Sequence, residues 1–213
     1  MKRPRVLLAD DHSIVLAGIR GLLGDTCEVV GEMKDGASLV AAALRLRPEL
    51  IILDISMPIL NGLDAARQIK KQWPDARLLF LSMHQGPVYL REALSAGGGG
   101  YLLKSSAPEE LRSAISKVLK GQLYLDPGFD RRILEKTLTP SGRPPRSSIQ
   151  LTDRQRQIVQ LIAEGRVNKE IAGILKVSVK TVEFHRGRIM AKLGVHTAAA
   201  LSAYAVRQGL AGE

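Results

Sequence analysis

Four short apolar runs, each followed by a polar residue, constrain the fold of this chain more than any other feature. The runs occupy residues 6–9, 50–53, 78–81 and 101–103, and they alternate with stretches whose apolar residues recur at helical spacing. Runs of this length between helical stretches are typical of strands buried in a parallel sheet. With a further short strand at 27–30, the sequence predicts an α/β domain with a doubly wound, five-stranded parallel sheet and helices on both faces.

The residues that end these runs carry the chemistry. Asp10 and Asp11 end the first run, Asp54 the second, Ser82 the third and Lys104 the fourth. The carboxyl ends of such strands face one crevice, so these side chains are expected to meet there. Three neighbouring carboxylates repel one another and favour a hard divalent cation with oxygen ligands. A nearby lysine then suits a phosphoryl group held between the metal and the ammonium.

The C-terminal part of the chain has helical spacing throughout from Leu151. Two of its predicted helices, at 168–175 and 178–193, are separated only by Lys176 and Val177, which is the short turn of a helix-turn-helix. Ser178 is expected to cap the second of these helices, and Val182 and Ile189 to face its core. Residues 121–150 contain a turn at 126–128, a possible short helix at 131–136 and a tract at 139–148 rich in Pro, Gly, Ser and Arg, which indicates a flexible linker.

Charge and composition narrow the class of protein. The net charge is +10, of which +5 falls in residues 151–213 and +3 in the longer stretch 1–120. The concentration of positive charge at the C-terminal end is expected of a surface that binds nucleic acid. A solvated basic surface is the alternative. A single cysteine, Cys27, excludes an internal disulfide and a multi-cysteine metal site. No stretch approaches the ~20 apolar residues that span a membrane, so we expect a cytoplasmic protein with no membrane partner.

Two regions resemble the parts of a known family. Residues 1–120 resemble the receiver domain of a two-component response regulator, through residues 8–12, residues 53–58 with Gly62, Ser82, and residues 100–104. Residues 151–208 resemble the helix-turn-helix domain of the NarL/FixJ (LuxR-type) regulators, through residues 151–152, 168–172, 181–182 with His185, and 192–195. The resemblance implies a flavodoxin-like receiver at 1–120, a linker at 121–150 and a four-helix DNA-binding domain at 151–213.

The resemblance also implies roles for the clustered residues. Asp54 is expected to accept the phosphoryl group, and Lys104 to pair with one of its oxygens. Mg²⁺ is the expected cofactor, bound directly by Asp11, largely through water by Asp10, and by Asp54 and the backbone carbonyl of Ser56. Ser82 and Tyr101 correspond to the family's switch pair, although ordinary packing at a strand start is the alternative for Tyr101.

The predicted recognition helix supplies the candidate DNA contacts. Phosphate contacts are expected from basic and polar side chains that position the protein without reading sequence, namely Lys169, Lys180, His185, Arg188 and Lys192. The positions that point away from the core with Lys180 are Thr181, Glu183, Phe184 and Gly187. Glu183 is expected to accept a hydrogen bond from a cytosine amino group and Phe184 to contact a thymine methyl. Alternatively, Glu183 pairs with Lys180 or Arg186 on the helix surface.

The implied function is that of a transcription factor rather than an enzyme. A sensor histidine kinase is expected to phosphorylate Asp54, which then controls homodimerisation and binding to double-stranded DNA. An aspartate-dependent Mg²⁺ phosphohydrolase is the alternative, but such enzymes typically carry Asp-x-Asp on one loop, whereas Asp10 and Asp11 are adjacent. A dinucleotide-binding oxidoreductase lacks its Gly-x-Gly-x-x-Gly after the first strand, and a receiver acting only as a phosphate sink leaves residues 151–208 unexplained.

Overall fold

The computed structural model describes residues 3–24, 26–129 and 151–210. They form two compact units, one built around residues 3–57 and 61–129 and the other around residues 151–210. The short helix predicted at 131–136 and the tract at 139–148 lie outside the described residues. Among the residues that are described, no single helix combines the length and the hydropathy needed to cross a membrane, and one pair, Val179–Leu193 with Ala198–Arg207, reaches them only jointly and across a bend of 69°.

The first unit is a parallel sheet. Its strands are β1 (Arg5–Ala9), β2 (Glu28–Met33), β3 (Leu50–Asp54), β4 (Leu78–Ser82), β5 (Gly100–Leu103) and β6 (Tyr124–Leu125). They lie in the order β2-β1-β3-β4-β5-β6, and every neighbouring pair is parallel. The order of the first five strands is flavodoxin-like, with the topological switch between β1 and β3.

The prediction of five strands is wrong by one. Tyr124 pairs with Gly100 and Leu125 with Tyr101, which adds β6 to the edge of the sheet beside β5. A strand of two residues has too few positions to show alternation, and it lies in the segment predicted as a linker at 121–150. The exact domain limits stay a prediction, but sheet residues extend beyond residue 120.

Five helices connect these strands. They are α1 (Ser13–Leu23), α2 (Gly36–Leu46), α3 (Gly62–Gln72), α4 (Pro87–Ser95) and α5 (Pro108–Leu119). One face of the sheet packs against α1 and α5, and the alternate strand residues Val6, Leu8, Leu50, Ile52, Leu79 and Leu81 form the core there. The alternation follows from the two-residue period of a strand. The carboxyl ends of the central strands are thereby held rigidly at one edge.

The residue that caps α5 is not the one that the sequence predicts. Because Pro108 follows in the first turn of the helix, the sequence predicts Ser106 as the N-cap. Ala107 instead occupies the cap position and forms no side-chain cap hydrogen bond. The hydroxyl of Ser106 donates a hydrogen bond to the carboxylate of Asp126. The hydroxyl of Ser106 therefore forms a long-range hydrogen bond with Asp126 and no capping hydrogen bond with the start of α5.

The second unit is helical. It contains α6 (Asp153–Ala163), α7 (Asn168–Leu175), α8 (Val179–Leu193) and α9 (Ala198–Arg207). Their core includes the fully buried side chains Ile158, Ile171, Val182, Ile189 and Leu201. Thr152 and Gln155 form a reciprocal capping box at the start of α6, with distances of 3.0 and 3.3 Å. The side chain of Gln155 therefore accepts a hydrogen bond from the backbone N–H of Thr152 at the helix terminus.

Candidate functional site

The carboxyl ends of β1 and β3 bring the predicted carboxylates together. Asp10 follows β1 directly, Asp11 is next to it, and Asp54 is the last residue of β3. One ligand atom from each of Asp10, Asp11, His12 and Asp54 lies within 4.8 Å of the others. Asp10 and Asp54 are buried, whereas the side chain of Asp11 remains 35% exposed. The cluster is therefore open to solvent on the side of Asp11.

Lys104 joins this cluster from the end of β5. Its Nζ atom lies 2.7 Å from Oδ2 of Asp10 and 2.8 Å from Oδ2 of Asp54. Burial works against its positive charge, but the contacts with the two carboxylates raise the pKa of Lys104 above its ordinary value. The amine therefore stays protonated and offsets part of the negative charge of the cluster.

The carboxylate of Asp54 has a raised pKa, because its burial disfavours the charged form more strongly than the contact with Lys104 favours it. The backbone N–H of Ile55 donates a hydrogen bond of 2.7 Å to Oδ1 of Asp54. Each carboxylate oxygen of Asp54 thus has one partner, the N–H of Ile55 for Oδ1 and the ammonium of Lys104 for Oδ2. The ionised form of Asp54 therefore depends on nearby positive charge, such as that of Lys104.

The residues present fit a hard divalent cation. Oδ2 of Asp10 is buried and lies 2.7 Å from the ammonium of Lys104. The one positive charge of Lys104 does not balance the three carboxylates of Asp10, Asp11 and Asp54, which favours a further cation beside them. Carboxylate oxygens from Asp10, Asp11 and Asp54 match the hard ligands that Mg²⁺ prefers. The contribution of the Ser56 carbonyl to this site stays a prediction.

Two histidines, His12 and His84, lie beside the acidic cluster, and the sequence predicted no role for either of them. The backbone N–H of His12 donates a hydrogen bond of 2.9 Å to Oδ1 of Asp10, and its Nδ1 lies 2.8 Å from Oδ1 of Asp11. The Nε2 of His84 lies 3.4 Å from the hydroxyl of Ser56, and its ring stacks on Tyr89 at 3.9 Å. Only their closeness to the motifs in sequence hinted at these positions.

Ser82 and Tyr101 converge on the backbone of His84. The hydroxyl of Ser82 accepts a hydrogen bond of 3.0 Å from the N–H of His84, and the Tyr101 hydroxyl donates one of 2.7 Å to its carbonyl. Both side chains are fully buried, and burial raises the pKa of the Tyr101 phenol. The ring of Tyr101 meets Phe129 edge-on at 5.2 Å. A shift of the loop at His84 would therefore reach Tyr101 directly.

In the second unit, the turn between α7 and α8 has the predicted form. Lys176 ends α7 in the left-handed conformation with φ of 53°, and Val177 leads to Ser178. The hydroxyl of Ser178 caps α8 by accepting a hydrogen bond of 3.1 Å from the N–H of Thr181. Val182 and Ile189 are fully buried, so α8 presents its opposite side outward.

The residues proposed to contact DNA are on or near that outward side of α8. Lys169 lies in the first turn of α7, and the other eight lie on α8 itself. The exposed members are Lys169, Lys180, Glu183, Phe184, Gly187, Arg188 and Lys192, and the half-buried ones are Thr181 and His185.

An aromatic and a basic side chain are paired on this surface. Phe184 is 58% exposed, and the guanidinium of Arg188 lies 5.3 Å from the centre of its ring. The ring of His185 meets Phe184 at 5.8 Å. Glu183 forms no ion pair with Lys180 or Arg186 in the part of the chain that the structure describes. The surface of α8 therefore exposes a carboxylate, an aromatic ring and a guanidinium.

Comparison with protein families assigns both units. Residues 6–116 match the response regulator receiver domain, and residues 149–205 match the bacterial regulatory proteins of the luxR family. The acidic cluster and Lys104 lie in the first match, and α7 and α8 in the second.

Individual relatives match this chain over nearly its whole length. The chain is 36% identical over 213 residues to the oxygen regulatory protein NreC of Staphylococcus carnosus, covering 97% of this chain and 98% of NreC. A structure of RcsB from Salmonella enterica serovar Typhimurium, bound to a promoter in the presence of the phosphomimetic BeF3⁻, has 31% identity and a TM-score of 0.59 over 95% of this chain and 98% of that one. A structure of two RcsB dimers bound to two parallel DNAs has 32% identity and a TM-score of 0.58, covering 97% of this chain and 99% of that one.

Proposed function

The chain belongs to the NarL/FixJ family of response regulators, which join a receiver domain to a LuxR-type DNA-binding domain, and we propose that phosphorylation of Asp54 controls its binding to DNA. Proteins of this family regulate transcription. The observation that carries the proposal is the convergence of Asp10, Asp11, Asp54 and Lys104 at the carboxyl edge of the sheet.

The chemistry proposed for Asp54 is nucleophilic. An oxygen of its carboxylate attacks the phosphorus of the donor, the bond to the donor's leaving group breaks, and an acyl phosphate forms. Lys104 leaves its ion pair with Asp54 and contacts an oxygen of the new phosphoryl group. Asp10, Asp11 and Asp54 would hold Mg²⁺, which when bound neutralises negative charge on the transferred group.

The test is labelling of the full chain by acetyl phosphate with Mg²⁺. Asp54→Asn should abolish labelling, because an amide is not nucleophilic, while Asp10→Asn and Asp11→Asn should weaken it by reducing affinity for the cation. Lys120→Met, which changes an exposed lysine at the end of α5, serves as the control and should label like the wild type. Labelling of Asp54→Asn at the wild-type level would end the assignment of Asp54.

We infer that the signal passes from Asp54 to the DNA-binding unit through Ser82 and Tyr101. Ser82 can donate a hydrogen bond to a phosphoryl oxygen, which changes its present contact with the N–H of His84. Tyr101 bonds the carbonyl of the same residue and so responds to that change. A phosphate that favours the active state by about 1.4 kcal/mol shifts the ratio of states tenfold.

The expected output is a homodimer bound to double-stranded DNA, after phosphorylation by a sensor histidine kinase in the cytoplasm. The DNA-bound RcsB dimers and the RcsB structure with a phosphomimetic support this output by similarity. Sedimentation and DNA titration with and without acetyl phosphate test it. Phosphodonor should increase both the dimer fraction and the affinity of the wild type, with no change for Asp54→Asn, and identical results in both conditions would contradict it.

A further inference from the structure

A buried carboxylate outside the acidic cluster holds three parts of the first unit together. Asp126 follows β6 directly and is 3% exposed. Its Oδ2 accepts hydrogen bonds from the N–H of Leu103, at 2.9 Å, and from the hydroxyl of Ser106. Its Oδ1 accepts one of 2.7 Å from the N–H of Gly128. A buried charge with this many donors is a strong local constraint.

Two of these donors stand on either side of Lys104 in the sequence. Leu103 precedes it and Ser106 follows two residues later, while the N–H of Lys104 itself donates to the carbonyl of Ser82 at 2.9 Å. The lysine side chain is flexible but of finite length, so the position of its backbone decides which oxygens Nζ can reach. Asp126 therefore fixes the peptide from which Lys104 reaches Asp54.

Asp126 is itself held firmly by the sheet. The N–H of Tyr124 donates to the carbonyl of Gly99 at 3.1 Å, and that of Asp126 to the carbonyl of Tyr101 at 2.9 Å. Phe129 is buried against the ring of Tyr101 a few residues later. The segment 124–129 thus begins as a strand parallel to β5 and beside it, next to the residues proposed to bind and to sense the phosphoryl group.

We propose that Asp126 is a positioning residue for phosphoryl transfer to Asp54, acting through Lys104. It anchors the backbone on both sides of Lys104 and keeps the ammonium within reach of Asp54 and Asp10. Asp126 does not touch the reacting atoms. The inference rests on the proposed role of Asp54 and adds Asp126, the residue that directly follows the unpredicted strand β6.

The first measurement is the rate of labelling by acetyl phosphate in the full chain. Asp126→Asn should label about tenfold more slowly, because the amide NH2 group cannot accept the hydrogen bonds that one carboxylate oxygen accepts. Ser106→Ala removes one of the three donors and should slow labelling less. Asp64→Asn is the control, since Asp64 is a buried carboxylate on α3 that pairs with Arg67 at 2.7 Å. It should label at the wild-type rate.

The second measurement separates positioning from a general loss of stability. In a Lys104→Ala background, Asp126→Asn should cause no further slowing, because the group on which it acts is gone. The same fold of slowing in both backgrounds would overturn the proposal. If urea titrations show that Asp126→Asn is unfolded, the effect of Ser106→Ala on labelling is measured instead, in the wild type and in the Lys104→Ala background.

The controls also distinguish this inference from the proposed function. Equal labelling of the wild type and Asp54→Asn would contradict the assignment of Asp54 as the phosphoacceptor, and with it the proposed function. Normal labelling of the wild type, absent labelling of Asp54→Asn and wild-type rates for Asp126→Asn and Ser106→Ala would overturn only the role of Asp126.

Discussion

The ammonium of Lys104 lies 2.8 Å from Oδ2 of Asp54 and bridges it to Asp10. The oxygens that this ammonium contacts belong to carboxylates that a divalent cation would also use. Lysine and metal would therefore compete for negative charge, whereas the proposed phosphoryl group would contact both. Removal of the lysine should accordingly have opposite effects on metal binding and on phosphoryl binding.

We expect Lys104→Met to bind Mg²⁺ more tightly than the wild type, by about tenfold, because a positive charge within ~3 Å of the ligand oxygens is removed. Calorimetric titration of both proteins with MgCl2 measures this directly. Lys120→Met removes an equal charge at the C-terminal end of α5, outside the acidic cluster, and controls for the change in net charge. Equal or weaker affinity of Lys104→Met would contradict competition between the ammonium and the cation.

Asp54→Asn should stabilise the receiver domain at neutral pH in the presence of a chelator. Burial raises the pKa of Asp54 in the folded state above its ordinary value of about 3.9. The folded protein therefore loses stability as the pH rises from that ordinary pKa to the raised pKa, because Asp54 then loses its proton less easily in the folded state than in the unfolded state. The asparagine variant has no such loss. The difference in free energy of unfolding, from urea titrations between pH 4 and pH 8, should grow with pH. A difference independent of pH would exclude this origin.

Gly62 is required by a close approach of two backbones. A Cβ atom at this position would lie 1.9 Å from the carbonyl oxygen of Asp54, and the N–H of Gly62 donates to the carbonyl of Ile55 at 2.8 Å. Gly62→Ala should therefore cost about 3 kcal/mol of stability and displace the peptide of Asp54. We expect labelling by acetyl phosphate to fall as well.

A glycine in open space provides the matched control for Gly62. Gly18 lies in the middle of α1, and a Cβ atom there would meet no atom within 4 Å. Gly18→Ala should stabilise the protein by about 0.5–1 kcal/mol through the higher helix propensity of alanine. Both variants can be compared by urea unfolding. A similar effect of the two substitutions would refute the steric argument for Gly62.

The geometry of the acidic cluster could be predicted from sequence because strand ends meet at one edge of a parallel sheet. That rule places Asp10, Asp54 and Lys104 together without knowledge of any loop. It does not extend to Asp126, whose partners at Leu103 and Ser106 lie about twenty residues earlier in the chain. Nor does it extend to His84, whose contacts depend on the path of the loop after β4. Such contacts follow from packing and have no period in the sequence.

The recognition helix provides the last prediction, which concerns Glu183. An acidic side chain near DNA phosphates is unfavourable, so its presence on the exposed side of α8 needs a compensating contact. Within the described residues Glu183 forms no ion pair with Lys180 or Arg186, and contact with a base stays a prediction. The proposed contact is a hydrogen bond accepted from a cytosine amino group.

Glu183→Ala should cost ~1–3 kcal/mol of binding free energy on the preferred DNA site and relax preference at one base position. Lys180→Ala is the matched control on the same helix, and it should weaken binding to all sequences alike and reduce the salt dependence, because phosphate contacts carry no sequence information. Selection of binding sites from random DNA by the phosphorylated full chain, followed by titration at several salt concentrations, measures both effects. An unchanged base preference for Glu183→Ala would mean that this carboxylate does not contact a base.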